Sequence, residues 1–241
     1  MKNILRQFLF NDSASRKNLD DNLSRMVESL GTRIEFIRTE IIYEMRYGLK
    51  ESNPTQDSKK IDSKILHVDK LKRQTEVGTV KINLGCGHKP KEDYINVDMR
   101  DIPGVDIVAA VDCLPFEENS VSEIYTSHLI EHFPEEKLVR HILPYWLSVL
   151  KPGGTIRIVA PDAESMCKAF SNGEMSFRDF KEVTFGAQDY DGDFHYTMFT
   201  PDSIVEILTT VGFTKPRLLD YGRINGLCRE LEVLATKKHQ Q

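Results

Sequence analysis

The strongest constraint on the fold is an abrupt change of character at residues 80–88, Val-Lys-Ile-Asn-Leu-Gly-Cys-Gly-His. A short β-prone run passes directly into the Gly85-Cys86-Gly87 turn. Glycine tolerates positive φ and has no Cβ, so such a turn can bring bare backbone close to a ligand. In open α/β sheets ligands bind at the carboxyl ends of strands. The pattern therefore predicts a buried parallel strand that ends at a ligand site, although a plain turn would have the same sequence.

Further strand-like runs follow, and two of them end in an acid. Residues 94–98 end at Asp98, and residues 105–112 end at Asp112. An acid at the end of the second strand can accept hydrogen bonds from both ribose hydroxyls of a nucleoside. Asp112 could accept from an adenine amino group, and the backbone N–H of Cys113 or Leu114 could donate to the ring. These runs predict a nucleoside site at the edge of the sheet.

Two more units complete the series. Residues 121–128 read as a fourth strand that leads into the run Ser-His-Leu-Ile-Glu-His at 127–132. Residues 150–154, Leu-Lys-Pro-Gly-Gly, are typical of a helix end and a turn, and residues 155–161 then form a strand. Beyond Pro161 we expect a helix at 163–170, an irregular substrate lid at 172–196 and a helix that Thr200 caps.

This order resembles the class I S-adenosylmethionine-dependent methyltransferases over residues 78–236. The resemblance lies in residues 84–87, Asp98, Asp112 with 114–116, residues 127–128 and residues 150–154. It implies an α/β fold with a Rossmann-like seven-stranded sheet whose last two strands are antiparallel, and S-adenosylmethionine as cofactor. The cofactor contacts that it implies are Asn83, Gly85, Cys86, Gly87, Asp98, Met99, Asp112, Cys113, Leu114 and Ser127.

Residues 127–132 and 192–199 are also similar to methyltransferases that modify bacterial surface glycans and small molecules. That similarity implies O-methylation of a sugar, a glycan precursor or another small polar metabolite, in polysaccharide biosynthesis. A lipid precursor, a quinone or a protein side chain remains open as acceptor, because Phe194, Tyr196 and Phe199 suit a flat molecule. A non-catalytic scaffold with this fold is a further alternative.

The turn departs from the usual pattern after Gly87. The chain continues His88-Lys89-Pro90, without a third glycine, and the six residues between Gly87 and Tyr94 are too few for a crossover helix. We expect a turn or an extended loop there. A dinucleotide is the rival ligand, but its fingerprint needs the third glycine and a helix N-terminus for the pyrophosphate. S-adenosylmethionine has no phosphate and tolerates this loop better.

Methyl transfer to a hydroxyl requires alignment of donor and acceptor and removal of a proton. Histidine is the natural base near neutral pH. We expect His195 to be the base, His128 and Glu131 to shape the site, and His132 to be structural. An acidic group beside His195 suits either a solvated loop or a magnesium site, and we assign no metal to it; it comprises Asp189, Asp191 and Asp193.

The N-terminal region has a helical apolar stripe with spacings of three and four, close to a heptad pattern. Its members are Leu19, Leu23, Met26, Leu30, Ile34, Ile37, Ile41 and Met45. The helix could pack on its own domain, pair two protomers as a coiled coil or dock on another protein. We place the helical arm and its linker at 1–62 and the methyltransferase domain at 63–241.

Composition limits the partners and the compartment. Residues 1–75 have a net charge of +4 and the remainder −9, which argues against nucleic acid as the substrate of the larger region. No apolar run approaches the roughly 20 residues of a membrane span. The four cysteines have neither zinc-site nor paired spacing. A cytoplasmic protein is therefore expected.

Overall fold

The computed structural model describes residues 2–45, 63–189 and 192–239. The chain divides into two compact units, residues 1–59 and 60–241. The first contains α1 (Lys2–Tyr43), a single long helix. The predicted linker at 49–62 lies outside the described residues.

The apolar stripe of α1 is exposed along the helix. Seven of its side chains are more than half exposed: Leu23, Met26, Leu30, Ile34, Ile37, Ile41 and Met45. The side chain of Leu19 lies outside the described part. The spacing repeats every eleven residues, from Leu23 to Ile34 to Met45. Eleven residues in three turns is close to the natural period of an α-helix, so the stripe runs almost straight along α1.

The larger unit is built on one mixed sheet. Its strands are β1 (Lys64–Ile65), β2 (Lys81–Leu84), β3 (Ile95–Asp98), β4 (Ile107–Val108), β5 (Val121–Ser127), β6 (Leu150–Pro161), β7 (Thr214–Asn225) and β8 (Cys228–Thr236). The spatial order is β1-β4-β3-β2-β5-β6-β8-β7. The five strands from β4 to β6 are parallel, and β1, β8 and β7 are antiparallel to their neighbours. The predicted α/β class and its antiparallel end are confirmed, with eight strands instead of seven because β1 adds an edge.

The direction of winding reverses beside β2. The chain runs outward from β2 to β3 and β4, and then returns to β5 and β6 on the other side of β2. Because β2 and β5 are parallel neighbours, their carboxyl ends meet at the same edge. That edge is a topological switch point, where open α/β sheets bind ligands.

Helices flank only part of this sheet. They are α2 (Val68–Val77), α3 (Glu135–Lys137), α4 (Leu143–Val149), α5 (Ala163–Ser171), α6 (Phe177–Phe185) and α7 (Pro201–Val211), with a 3-10 turn at Ile130–His132 and a π-helical stretch at Leu138–Ile142. The chain between β2 and β3 forms turns without a helix, as predicted. The described part contains no helix long and apolar enough to cross a membrane.

Three local predictions need correction. The third strand is only two residues long, because just Ile107 and Val108 pair with β3 and β1. The predicted turn at 150–154 is already part of β6, since Leu150 pairs with Val121 before a register shift. The segment at 172–196, expected to be irregular, contains α6, which begins at an N-cap where Ser176 Oγ accepts from the Asp179 N–H.

The predicted N-cap of α7 is confirmed. Thr200 Oγ1 accepts from the Ser203 N–H at 3.2 Å, and Ser203 Oγ accepts from the Thr200 N–H at 2.9 Å. This capping box gives acceptors to two backbone N–H groups that the first turn of the helix would otherwise leave without one. Gly212 ends the helix at φ 107°. Ile204 and Leu208 are buried in the same core cluster as Trp146 of α4.

Candidate active site

The Gly85-Cys86-Gly87 turn follows β2 at the switch-point edge. Gly85 has φ +63° and Gly87 has φ +51°, a region that favours glycine. A Cβ on Gly85 would lie 2.7 Å from Leu129 Cδ1, so this glycine also permits close approach of the chain after β5. The turn is therefore fixed by backbone conformation at both glycines and by packing at Gly85.

Asp98 fastens this turn to the end of β3. Its side chain is buried, and Oδ2 accepts from the Gly87 N–H at 2.9 Å. Oδ1 accepts from the backbone N–H and from Nε of Arg100, at 3.0 and 3.1 Å. Asp98, the residue predicted to bind ribose, thus lies beside the glycine turn. It also forms an ion pair with Arg100, which sequence reasoning missed.

Three other predicted cofactor residues surround the turn in different ways. Asn83 is buried beneath it and donates to Asn96 Oδ1 at 2.9 Å, which is a supporting position. Cys86 is buried, and burial together with the charge of Asp98 raises the pKa of its thiol to about 12. Met99 is 58% exposed at the edge and is free to cover a ligand.

The region expected to hold adenine is partly occupied by the protein itself. The Leu114 N–H donates to the Tyr145 hydroxyl at 2.8 Å, and the Cys113 N–H donates to the Ala110 carbonyl at 3.1 Å. The side chain of Asp112 is exposed and lies 3.3 Å from Lys137 Nζ. Of the predicted adenine contacts, the Asp112 carboxylate is the accessible one.

The end of β5 places His128 directly after Ser127. His128 has φ +52°, an uncommon backbone conformation for a residue with a Cβ, and strain of this kind clusters at functional sites. Its Nε2 lies 2.9 Å from Glu230 Oε2, and its Nδ1 lies 3.4 Å from Glu131 Oε1. Burial would lower the pKa of His128, but these two carboxylates outweigh it and raise the pKa above its usual value. The two carboxylates therefore favour the protonated form of the ring.

A charged network on β7 and β8 supports His128, and the sequence analysis did not find it. Glu230 also accepts from Arg223 Nε at 2.6 Å and from Asn225 Nδ2 at 2.9 Å. Arg223 reaches Glu232 at 2.9 Å, and Glu232 pairs in turn with Arg157. The available signal was a pair of acids, Glu230 and Glu232, at alternate positions in the final strand.

Glu131 lies in the 3-10 turn that follows β5. The residue is 1% exposed, and neither oxygen of its carboxylate has a hydrogen-bond partner. Its backbone carbonyl accepts from the Tyr196 N–H at 2.8 Å. This bond brings the extended segment that carries His195 against the turn.

His132 and His195 meet at this point. Their rings are 4.8 Å apart with an interplanar angle of 75°. His132 Nδ1 lies 3.0 Å from the Phe194 carbonyl oxygen, and His195 Nδ1 lies 3.0 Å from that of Val183. Burial lowers the pKa of His195, so this ring is neutral near pH 7. His132, expected to be only structural, belongs to the same cluster.

The acidic group is less well assembled. Asp189 is exposed, and its N–H donates to Asp193 Oδ2 at 3.3 Å. Asp191 lies outside the described residues. Within the described ranges, the cluster of three potential metal ligands is Glu131, His132 and His195, and it contains none of these aspartates.

Comparison with known proteins gives distant structural similarity. No family model matches the chain, and no curated protein matches it. A protein from Methanosarcina mazei described as a SAM-dependent methyltransferase has 19% identity and a TM-score of 0.48, over 70% of this chain and 98% of that chain. One from Archaeoglobus fulgidus, described likewise, has 15% identity and a TM-score of 0.47, over 70% and 93%.

A third similar structure is the 1,6-didemethyltoxoflavin-N1-methyltransferase of Burkholderia thailandensis, with bound 1,6-didemethyltoxoflavin and S-adenosylhomocysteine. Its identity is 13% and its TM-score 0.47, over 84% of this chain and 87% of that chain. Similarity at this distance does not transfer an activity. The function is therefore argued from the site itself.

Proposed function

We propose that the chain is an S-adenosylmethionine-dependent methyltransferase. The observation that carries this proposal is the glycine turn of residues 85–87, which Asp98 fastens at the switch point between β2 and β5. A nucleoside ligand suits a turn with a buried acid beside it. A dinucleotide suits it poorly, because no helix N-terminus follows Gly87 to bind a pyrophosphate.

Asp98 is proposed to bind the ribose hydroxyls. A carboxylate has about four acceptor positions, and in Asp98 three N–H groups already occupy three of them. Ribose hydroxyls would compete for Oδ1 with the Arg100 side chain, which is 38% exposed. Ribose binding would then exchange the Arg100 Nε bond for hydroxyl bonds while the Gly87 bond remains.

The adenine would lie along residues 112–114. We propose that the exposed carboxylate of Asp112 accepts from the adenine amino group, with Lys137 as its charged neighbour. The N–H groups of Cys113 and Leu114 would need to leave their present acceptors before they could donate to the ring. The Asp112 contact therefore has the stronger support of the two.

For the acceptor we propose a hydroxyl of a sugar, a glycan precursor or another small polar metabolite. The acceptor oxygen attacks the methyl carbon of the sulfonium, the carbon–sulfur bond breaks, and its electron pair stays on sulfur. The neutral ring of His195 is proposed to take the hydroxyl proton, while His128 and Glu131 shape the site. Its lowered pKa keeps the ring unprotonated and ready to accept.

A flat or apolar acceptor is the second candidate. In the extended segment after α6, Phe194, Tyr196 and Met198 are 41–62% exposed, while His195 and Thr197 alternate with them toward the turn. Exposed aromatic and thioether side chains beside the proposed base favour a ring that stacks on them. A quinone or a lipid precursor would fit this strip.

We also propose that the helical arm, 1–62, pairs two protomers and that residues 63–241 form the methyltransferase domain, in the cytoplasm. The exposed apolar stripe of α1 supports pairing, because an uncovered stripe of this length favours association in water.

Titration of S-adenosylhomocysteine into the purified protein by calorimetry tests the cofactor proposal. We expect saturable binding that Asp98→Ala weakens at least about ten-fold, since the ribose acceptor and the anchor of Gly87 are both lost. Asp101→Ala is the matched control, because Asp101 is an exposed acid of the same segment that pairs with Lys64 at the surface. A folded protein that does not bind S-adenosylhomocysteine would favour the alternative that the chain is a non-catalytic scaffold.

A further inference from the structure

We propose that Glu131, His132 and His195 bind a divalent transition-metal ion. One ligand atom from each side chain lies within 4.8 Å of the others. Ligands about 2.0–2.2 Å from a tetrahedral ion are about 3.4 Å apart, so the side chains must rotate toward one another to complete the site. The residues come from the turn after β5 and from the segment after α6, which the Glu131–Tyr196 backbone bond holds together.

The hydrogen bonds of the two imidazoles prepare them as ligands. Each Nδ1 lies 3.0 Å from a backbone carbonyl oxygen, of Phe194 for His132 and of Val183 for His195. A carbonyl can only accept, so Nδ1 carries the proton and the lone pair of the neutral ring is on Nε2. A carbonyl that orients the distal N–H is the usual support of a metal-binding histidine. Two neighbouring rings have it here.

The buried carboxylate of Glu131 is a second observation, independent of the two histidines, that points to a metal ion. Its carboxylate is almost completely buried, and neither oxygen accepts a hydrogen bond. The nearby His128 ring, at 3.4 Å from Oε1, offers charge without a hydrogen bond of good length. The ion pair with His128 offsets part of the cost of burying this charge, and the oxygen positions that accept no hydrogen bond suit a metal ion, since buried charges are normally paired or coordinate metals. A metal at the two imidazoles would satisfy it.

The donor set indicates the kind of ion. Two imidazole nitrogens and one carboxylate oxygen suit Zn²⁺ or Fe²⁺, whereas Mg²⁺ and Ca²⁺ prefer oxygen ligands alone. Three protein ligands leave a position for a water or a substrate atom, as in catalytic zinc sites.

The use of that open position rests on the proposed function, whereas metal binding itself does not. A hydroxyl of the acceptor bound to the ion would become more acidic, as metal-bound water does. It would release its proton to solvent, and the resulting alkoxide would attack the sulfonium methyl carbon, with the broken carbon–sulfur pair left on sulfur. In the metal-bound protein His195 would be a ligand of the ion. The ion would then replace His195 as the group that promotes deprotonation of the acceptor hydroxyl.

The test uses untagged protein that has been freed of metal with a chelator and then titrated with Zn²⁺ by calorimetry. We expect one ion per chain, with His132→Gln, His195→Gln and Glu131→Gln each weakening binding at least about ten-fold. His239→Gln is the matched control. His239 contacts Gly153 near the start of β6, whereas the proposed ligands lie near its far end, so this variant should bind as the unaltered protein does.

Thermal unfolding in chelator separates lost ligation from lost folding. Glu131→Gln removes both a buried charge and the ion pair with His128, so its unfolding temperature in chelator serves as its own baseline, and we expect it to lose the rise that Zn²⁺ causes. The proposal is overturned if the folded protein takes up no Zn²⁺, or if His132→Gln and His195→Gln retain full affinity, as they would if the exposed thiols of Cys113 and Cys167 held the ion. S-adenosylhomocysteine binding to metal-free protein is measured separately, so failure of the cofactor proposal is distinguishable.

Discussion

At the scale of single residues, Asp106 ties α2 to the sheet and gives a prediction for acid stability. Its buried carboxylate accepts from Lys70 Nζ at 2.7 Å and from the Asn96 N–H at 2.8 Å, and it lies 2.8 Å from His67 Nδ1. Burial would raise the pKa of Asp106, but these hydrogen bonds outweigh it and lower the pKa. Because the pKa is depressed in the folded state, this stabilisation is complete above the unfolded value and disappears as the pH falls through the folded one.

Asp106→Asn should therefore lower the free energy of unfolding by roughly 1–3 kcal/mol at pH 7, where a charged acceptor is lost. The gap to the unaltered protein should close as the pH falls below the usual aspartate range and through the depressed pKa of Asp106. Urea unfolding of both proteins over that range measures it, with the exposed Asp101→Asn as control. A gap that stays constant with pH would show that the Asp106 charge is not the source of the effect.

The candidate site shows which residues a sequence can indicate. Asp98 was predicted because it ends a strand, which is a local signal. Glu131 and His195 were also named, but their contact with His132 depends on carbonyls of α6 and of the following segment. Glu230 reaches His128 from 102 positions along the chain. An acid in a strand does not indicate a partner so distant in the sequence, so this pair could not be predicted.

At the scale of elements, Gly85 and Gly78 provide a matched pair. Both have positive φ, +63° and +72°, so alanine at either should cost about 1–2 kcal/mol of stability in backbone strain. A Cβ at Gly78 meets nothing within 4 Å, whereas one at Gly85 must displace Leu129. We expect Gly85→Ala to lose more stability in chemical unfolding and to weaken S-adenosylhomocysteine binding, while Gly78→Ala retains binding. Equal loss of binding in both variants would contradict a specific role for the turn.

The elements that were predicted correctly carry their own signals. The strand before Gly85 and the cap of α7 depend on neighbours within a few residues. β1 is different, because two exposed residues form a strand only by pairing with β4. β6 likewise starts at Leu150 through its contact with Val121. Strand pairing is a tertiary interaction, and it decides boundaries that propensity alone leaves undefined.

At the scale of the whole molecule, α1 tests the proposed association of two protomers. Leu30 and Ile37 lie seven residues apart on the exposed stripe, whereas Thr32 and Thr39 are on the opposite side at 100° per residue. Charges on the stripe would be buried without a partner in a dimer, which is strongly unfavourable. Leu30→Glu with Ile37→Glu should therefore give monomers by light scattering at a concentration where the unaltered chain is dimeric.

Thr32→Glu with Thr39→Glu adds the same charge to the other face and should leave the mass unchanged. A monomeric unaltered chain, or equal masses for both double variants, would exclude pairing through the stripe.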